Sequence, residues 1–300
     1  MKCGRLLCVL PGLLLCGGGL WADTIFVTNN DVGPVGEYTT SGATQNASLI
    51  SGLNIPLGIA VSGSDLFVTN SGAGTIGEYN TSGATVNASL ISGLSSPWGI
   101  AVSGSDLFVA NFETGTIGEY TTSGATVNAS LISGLIQPNA ITVSGSDLFV
   151  ASAFTDIIGE YTTSGATVNA SLISGLSNPG GIAVSGSDLF VTNRDASTIG
   201  EYTTSGSTVN ASLISGLSQP WGIAVDGSDL FVVNAITSMI GEYTTSGGTV
   251  NPSLISGLDA PTAITIAPAA TSVPEPSSLP LLALALLGLG FYRAERRHWW

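Results

Sequence analysis

Short apolar runs alternate with Gly, Ser and Asn punctuation along most of the chain, and the pattern returns every 41 residues. The copy that starts at Pro97 shows it. Gly99-Ile100-Ala101-Val102 is followed by the turn Ser103-Gly104-Ser105, then by Asp106-Leu107-Phe108-Val109-Ala110. A variable stretch leads to Thr116-Ile117-Gly118-Glu119-Tyr120-Thr121, and after Ser123-Gly124 the run Ala129-Ser130-Leu131-Ile132 closes the unit. Runs of this length bounded by turn residues predict four antiparallel strands per period. The first two carry no polar face, which suits a sheet covered on both sides.

Six copies fit between Asp23 and Pro268, since those 246 residues are six times 41. Stacked units of this size bury their apolar faces only against neighbours, and radial repetition of four-stranded sheets predicts an all-β, six-bladed β-propeller. The body opens at a second strand, Asp23–Val27, and ends on a lone first strand, Thr262–Ile266. The last strand is therefore expected to complete the N-terminal blade and close the ring. Pro-x-Gly-Ile-Ala-Val followed by Asp-Leu-Phe-Val-Ala-Asn resembles the NHL-type propeller blade in all six copies. The copies lack the basic residues usual in that family, so the RNA binding of some relatives is not implied.

Chemistry is sparse. All three cysteines lie in the first 16 residues and the single histidine is His298, so the body has no Ser-His or Cys-His pair and no imidazole or thiolate ligand for a metal. Eighteen acidic residues against Arg194 give the body a formal charge of −17. That surface repels nucleic acid and favours a neutral or cationic ligand, either a neutral glycan or a protein.

The two ends read as addresses. Lys2 and Arg5, the apolar Leu6–Leu15 and Leu20-Trp21-Ala22 form a secretory signal over residues 1–22. A linker, 269–278, contains Val273-Pro274-Glu275-Pro276; residues 279–300 hold an apolar run to Tyr292 and then Arg293, Arg296 and Arg297. This ordered tail is similar to a PEP-CTERM sorting signal. The resemblance implies an exosortase-type processing enzyme, a Gram-negative-type bacterium that secretes exopolysaccharide, and an inner-membrane anchor held only until processing. Fourteen helical residues reach ~21 Å, short of the ~30 Å hydrocarbon core.

The copies differ mainly in two links, between second and third strands and between one blade and the next. Both should emerge on one face, leaving the opposite face uniform. At the head of the innermost strands stand Leu57, Trp98, Asn139, Gly180, Trp221 and Thr262. Trp98 and Trp221 are three blades apart and are expected to face each other across the channel mouth, where they could stack on a sugar or grip a peptide. Asn139, Glu113, Asp156, Arg194 and Asp195 complete the candidate ligand-binding set. No catalytic residue, cofactor or metal ligand is assigned. The expectation is an exported, non-enzymatic surface or matrix protein, exopolysaccharide-associated. The alternative is a calcium-dependent lactonase-like hydrolase, in which Glu113, Asp156 and Asp195 would converge on the ion.

Overall fold

The computed structural model describes residues 23–30 and 33–269. Within them, 24 strands form six separate four-stranded antiparallel sheets. Blade 3 is typical. It runs outward from Pro97–Ser103 through Asp106–Asn111 and Thr116–Thr121 to Thr126–Ile132. Blades 2, 4, 5 and 6 repeat that order over 56–92, 138–174, 179–215 and 220–255.

Blade 1 is assembled from both ends of the array. Its innermost strand is Pro261–Ala267, paired antiparallel with Thr24–Asn29, which continues to Val35–Thr39 and Thr44–Ile50. The register sets Thr24 opposite Ala267, Phe26 opposite Thr265 and Asn29 opposite Pro261. The ring thus closes by strand pairing.

The core lies between blades. Each of the six apolar clusters joins neighbouring sheets: Phe108, Ile117 and Ile132 of blade 3, for example, pack with Ile141, Leu148, Val150 and Tyr161 of blade 4. A sixth cluster joins blade 6 to blade 1 through Phe231, Ile240 and Ile255 against Ile25, Val27 and Tyr38. The Gly-Glu-Tyr motif has a packing cause. A Cβ on Gly118 would fall 2.6 Å from the Tyr120 ring, so only glycine lets that ring fold back along its own strand into the interface. Tyr120 is accordingly buried.

The outermost strand differs from the sequence expectation. It starts at Thr126 and not Ala129, and its pairing slips by two residues between Ile117–Ile132 and Glu119–Asn128 and by one more at Tyr120–Thr126. The Asn128 side-chain oxygen accepts from the Ser130 N–H at 3.1 Å, a local turn that stabilises the bulge. Asn-Ala-Ser is therefore the bulge sequence, repeated at the rim. It kinks an exposed edge strand that would otherwise invite pairing with another chain.

Ring closure should dominate stability. A chain ending at Pro268 is expected to melt in one cooperative step. A chain ending at Ala260, without the closing strand, should lose that transition in a circular-dichroism melt. An unchanged melt would mean that the five complete blades hold without closure.

Candidate functional site

The two variable links of each blade are bonded to one another at one end of the ring. Phe112 N–H donates to Ser96 C=O at 3.1 Å in blade 3, and Arg194 N–H to Asn178 C=O at 3.2 Å in blade 5. Among the described residues, all nine non-glycine residues with positive φ lie in these links. Six of them directly precede the repeat proline, from Ile55 (φ 52°) to Ala260 (φ 46°). A left-handed residue before proline is disfavoured twice over, and Ile55 is also β-branched. The decorated face therefore stores backbone strain; the opposite face, with its Gly turns, does not.

At the centre of this face the aromatic side chains touch in series. Trp98 and Trp221, from opposite blades, have ring centroids 6.1 Å apart at 41°. That is direct contact, so nothing is sandwiched between them. Phe112 stacks on Trp98 (4.2 Å, 10°), and Phe154 meets Phe112 edge-on at 6.5 Å. Beyond Trp221, the Arg194 guanidinium lies 4.0 Å from the ring centroid, a cation–π contact. The strip thus runs Phe154, Phe112, Trp98, Trp221, Arg194. Its outer end is open, because Phe154 is 72% exposed.

Backbone and second-strand residues fix the strip. Thr69 donates its hydroxyl to the Trp98 carbonyl at 2.8 Å, and Thr192 does the same for Trp221 at 2.7 Å. The Trp98 indole N–H donates to Ser96 Oγ at 3.2 Å. Gly180 makes room for Arg194: a Cβ there would lie 2.9 Å from the arginine Cδ and 3.0 Å from its Cγ. Arg194 therefore crosses the gap left by its own blade's missing side chain and reaches the tryptophan of the next blade. Burial lowers its pKa, with Asp195 pulling the other way, and the guanidinium stays charged.

The other candidates are placed differently. Asn139 is buried and spent as a brace between blades, donating to the Pro179 carbonyl at 2.8 Å and accepting from Ala153 N–H at 3.1 Å. Its amide is thus engaged with protein partners, although the residue also lines the axial cavity. Asp156 accepts from Asn178 N–H at 2.7 Å, Asp195 accepts from the Asn178 side-chain amide at 3.3 Å, and exposed Glu113 accepts from Ser95 Oγ at 3.4 Å. Among the described residues no three of His, Cys, Asp and Glu gather where they could hold a metal ion. Of the three acids that the lactonase-like alternative would bring together, Asp156 and Asp195 meet at Asn178 and Glu113 bonds Ser95. Below the tryptophans, the axis narrows to a cavity of about 100 Å³ walled by Trp221 and by Gly and Ile of the innermost strands. Further along the same strands, a second axial cavity of about 280 Å³ is walled by residues such as Ile59, Ile141, Ile223 and Ile264. Phe112 and Phe154 escaped the sequence reading because each occurs in a single copy of a variable link. The available signal was that Phe112 and Arg194 occupy the same repeat position.

The fold is that of a six-bladed β-propeller, here with an aromatic-cationic strip across one mouth. Residues 272–297 match the PEP-CTERM protein-sorting motif. The chain thus joins that propeller to a sorting signal of exported, cell-envelope-associated proteins of Gram-negative-type bacteria. The expected signal segment 1–22, the apolar run 279–292 and the sorting residues lie outside the described residues, among which no helix is long and apolar enough to cross a membrane. No curated protein is similar in sequence. Among solved structures, a chain of a nidogen/laminin complex is similar in fold at TM-score 0.71 and 16% identity, covering 82% of this chain and 98% of that one. A streptogramin B lyase aligns at TM-score 0.60 and 20% identity over 81% and 91%. Virginiamycin B lyase from Staphylococcus aureus aligns at 0.55 and 24% over 69% and 73%. At these identities the likeness is one of fold.

The repeated glutamates generate a pH prediction. Desolvation raises the pKa of Glu78, Glu119, Glu160, Glu201 and Glu242, and each has an aspartate at the head of the neighbouring strand that raises it further. Glu37 is raised by desolvation alone, because Thr24 stands where the other blades have Asp. A carboxylate whose pKa is higher folded than unfolded contributes stability that is fully present below the unfolded pKa. That stability is lost as pH rises through the folded pKa. Relief of self-repulsion acts in the same direction. The melting temperature should therefore rise as pH is lowered from 7 toward the ordinary glutamate range. A fall over that interval would show that these acids are stabilising as charges.

Proposed function

We propose that this chain is an exported, non-enzymatic binding protein of the cell surface or extracellular matrix, whose propeller holds a neutral glycan on its decorated face in association with exopolysaccharide. The observation that carries the reading is the unbroken ring-to-ring contact from Phe154 to Trp221. Exposed aromatic surface on a rigid frame, as Phe154 offers, suits the apolar faces of sugar rings, and fixing it in advance reduces the ordering cost on binding. The strain kept in the same links accords with a face held for use. A second occupant, an apolar protein segment, is favoured by the exposure of Ile136 and Ile236, at 57% and 66%, in the same set of links.

The test is glycan-array binding by the full chain, followed by titration of the best neutral oligosaccharide. Phe154→Ser should weaken it about 3–10-fold, from the ~0.5–1.5 kcal/mol of one aromatic contact. The pair Trp98→Ala and Trp221→Ala should take it below detection while the circular-dichroism spectrum is kept. Unchanged affinity in a folded double variant would remove the strip from the site.

The sorting signal yields a separate expectation. Exosortase-type processing near Pro274–Pro276 should leave native protein that lacks Trp299 and Trp300 in mass spectrometry. Their retention would make the tail a lasting anchor.

A further inference from the structure

The aromatic strip ends on the only basic residue of the propeller, and that residue is not needed by the fold. The equivalent positions in the other blades hold Asn30, Ser71, Phe112, Ala153 and Ala235. Those blades supply an internal control: polar, aromatic and small side chains all serve there. Asp195 acts on Arg194 only through space. Among the described residues Arg194 forms no salt bridge, and its Nε is buried without a hydrogen-bond partner. The neighbouring Asp195 instead accepts from Asn178. A buried, unsatisfied donor on a charged group costs stability; Nε itself is closed to a ligand, and the cation–π contact with Trp221 works against that cost.

The geometry points to Arg194 as the receptor for one carboxylate, so that the glycan held by the strip ends in an acidic sugar whose ring lies on the aromatic surface and whose carboxylate meets the guanidinium. This deepens the proposal of a glycan ligand and rests on it. It also reverses the expectation, drawn from the charge of −17, that the ligand carries no negative charge. The acidic field leaves room for a single charge only. Glu113, Asp156 and Asp195 stand in the surrounding links, and a polyuronate laid across the face would meet them and the general field. One terminal carboxylate placed on Arg194 would not. Guanidinium–carboxylate bonds are short, directional and about twice as strong as neutral ones, and stacking on Trp221 holds the fork in place.

The test compares cellobiose with cellobiouronic acid, a disaccharide that differs from it by one carboxylate, titrated into the full chain near neutral pH. The wild-type chain should bind the acid at least tenfold more tightly than cellobiose. Arg194→Gln should invert the preference between the two sugars, because without the receptor the acidic field disfavours the charged one. Gly180→Ala provides a second variant that keeps the cation but pushes its stem out of the gap. It should cut the tenfold preference to less than threefold with the fold intact. If the wild-type chain binds cellobiose as tightly as the acid, the carboxylate assignment fails while the glycan reading stands. If neither sugar binds but a peptide with a free C-terminal carboxylate does and its amide does not, both the glycan reading and the sugar assignment fail.

Discussion

Phe108 and its five equivalents are almost wholly buried, yet none is buried by its own sheet alone. Each packs into a layer shared with a neighbouring blade, so no blade can satisfy its apolar faces until another stands beside it. A linear stack would always leave two such faces wet. Bending six blades into a ring removes both, and the pairing of Thr24–Asn29 with Pro261–Ala267 ties the two ends of the array into one sheet. The glycine that lets Tyr fold over its own strand, and the kinked outer strands, are secondary to that layer packing. One thickens the interface; the other keeps the rim from recruiting strangers.

Once the frame is fixed six times over, individual positions on one face are released from structural duty. That freedom explains how a rigid and repetitive scaffold carries a singular cluster of side chains. Thr69 and Thr192 hold the carbonyls of Trp98 and Trp221, while Phe112 and Arg194, at one repeat position, approach different tryptophans from opposite sides. The site is asymmetric because single copies depart from the consensus.

The blades were legible in the sequence because their strands carry strong, repeated apolar signals: Leu-Phe-Val, Ile-Ala-Val and Gly-Glu-Tyr at constant spacing. The beginning of the outer strand was not. Thr126, Val127 and Asn128 are exposed and lie beside a bulge, so no burial pattern marks them. The tryptophan pair could be placed from arithmetic on the repeat, but the immediate contact of the rings depends on side-chain reach. Asn139 illustrates the opposite limit. As a polar residue at the mouth it read as a ligand group, whereas its partner is the Pro179 carbonyl of the next blade, some forty residues on in sequence. The reach of Arg194 was hidden for a related reason, since it depends on an absence at Gly180 and a ring at Trp221.

The closing strand has a mechanical consequence. Pro261 lies at the decorated end and Ala267 at the uniform end, where it pairs with Thr24. The chain therefore leaves the propeller at the end away from the aromatic strip. A pull between Ala267 and something gripped on the strip would run along that strand and load its registered bonds in parallel, as shear. A pull between Asp23 and Ala267 would open the same bonds one at a time, like a zipper. The same seam is thus strong toward one direction of tension and weak toward another, and the end from which the chain departs puts any load borne through a held ligand on the strong axis.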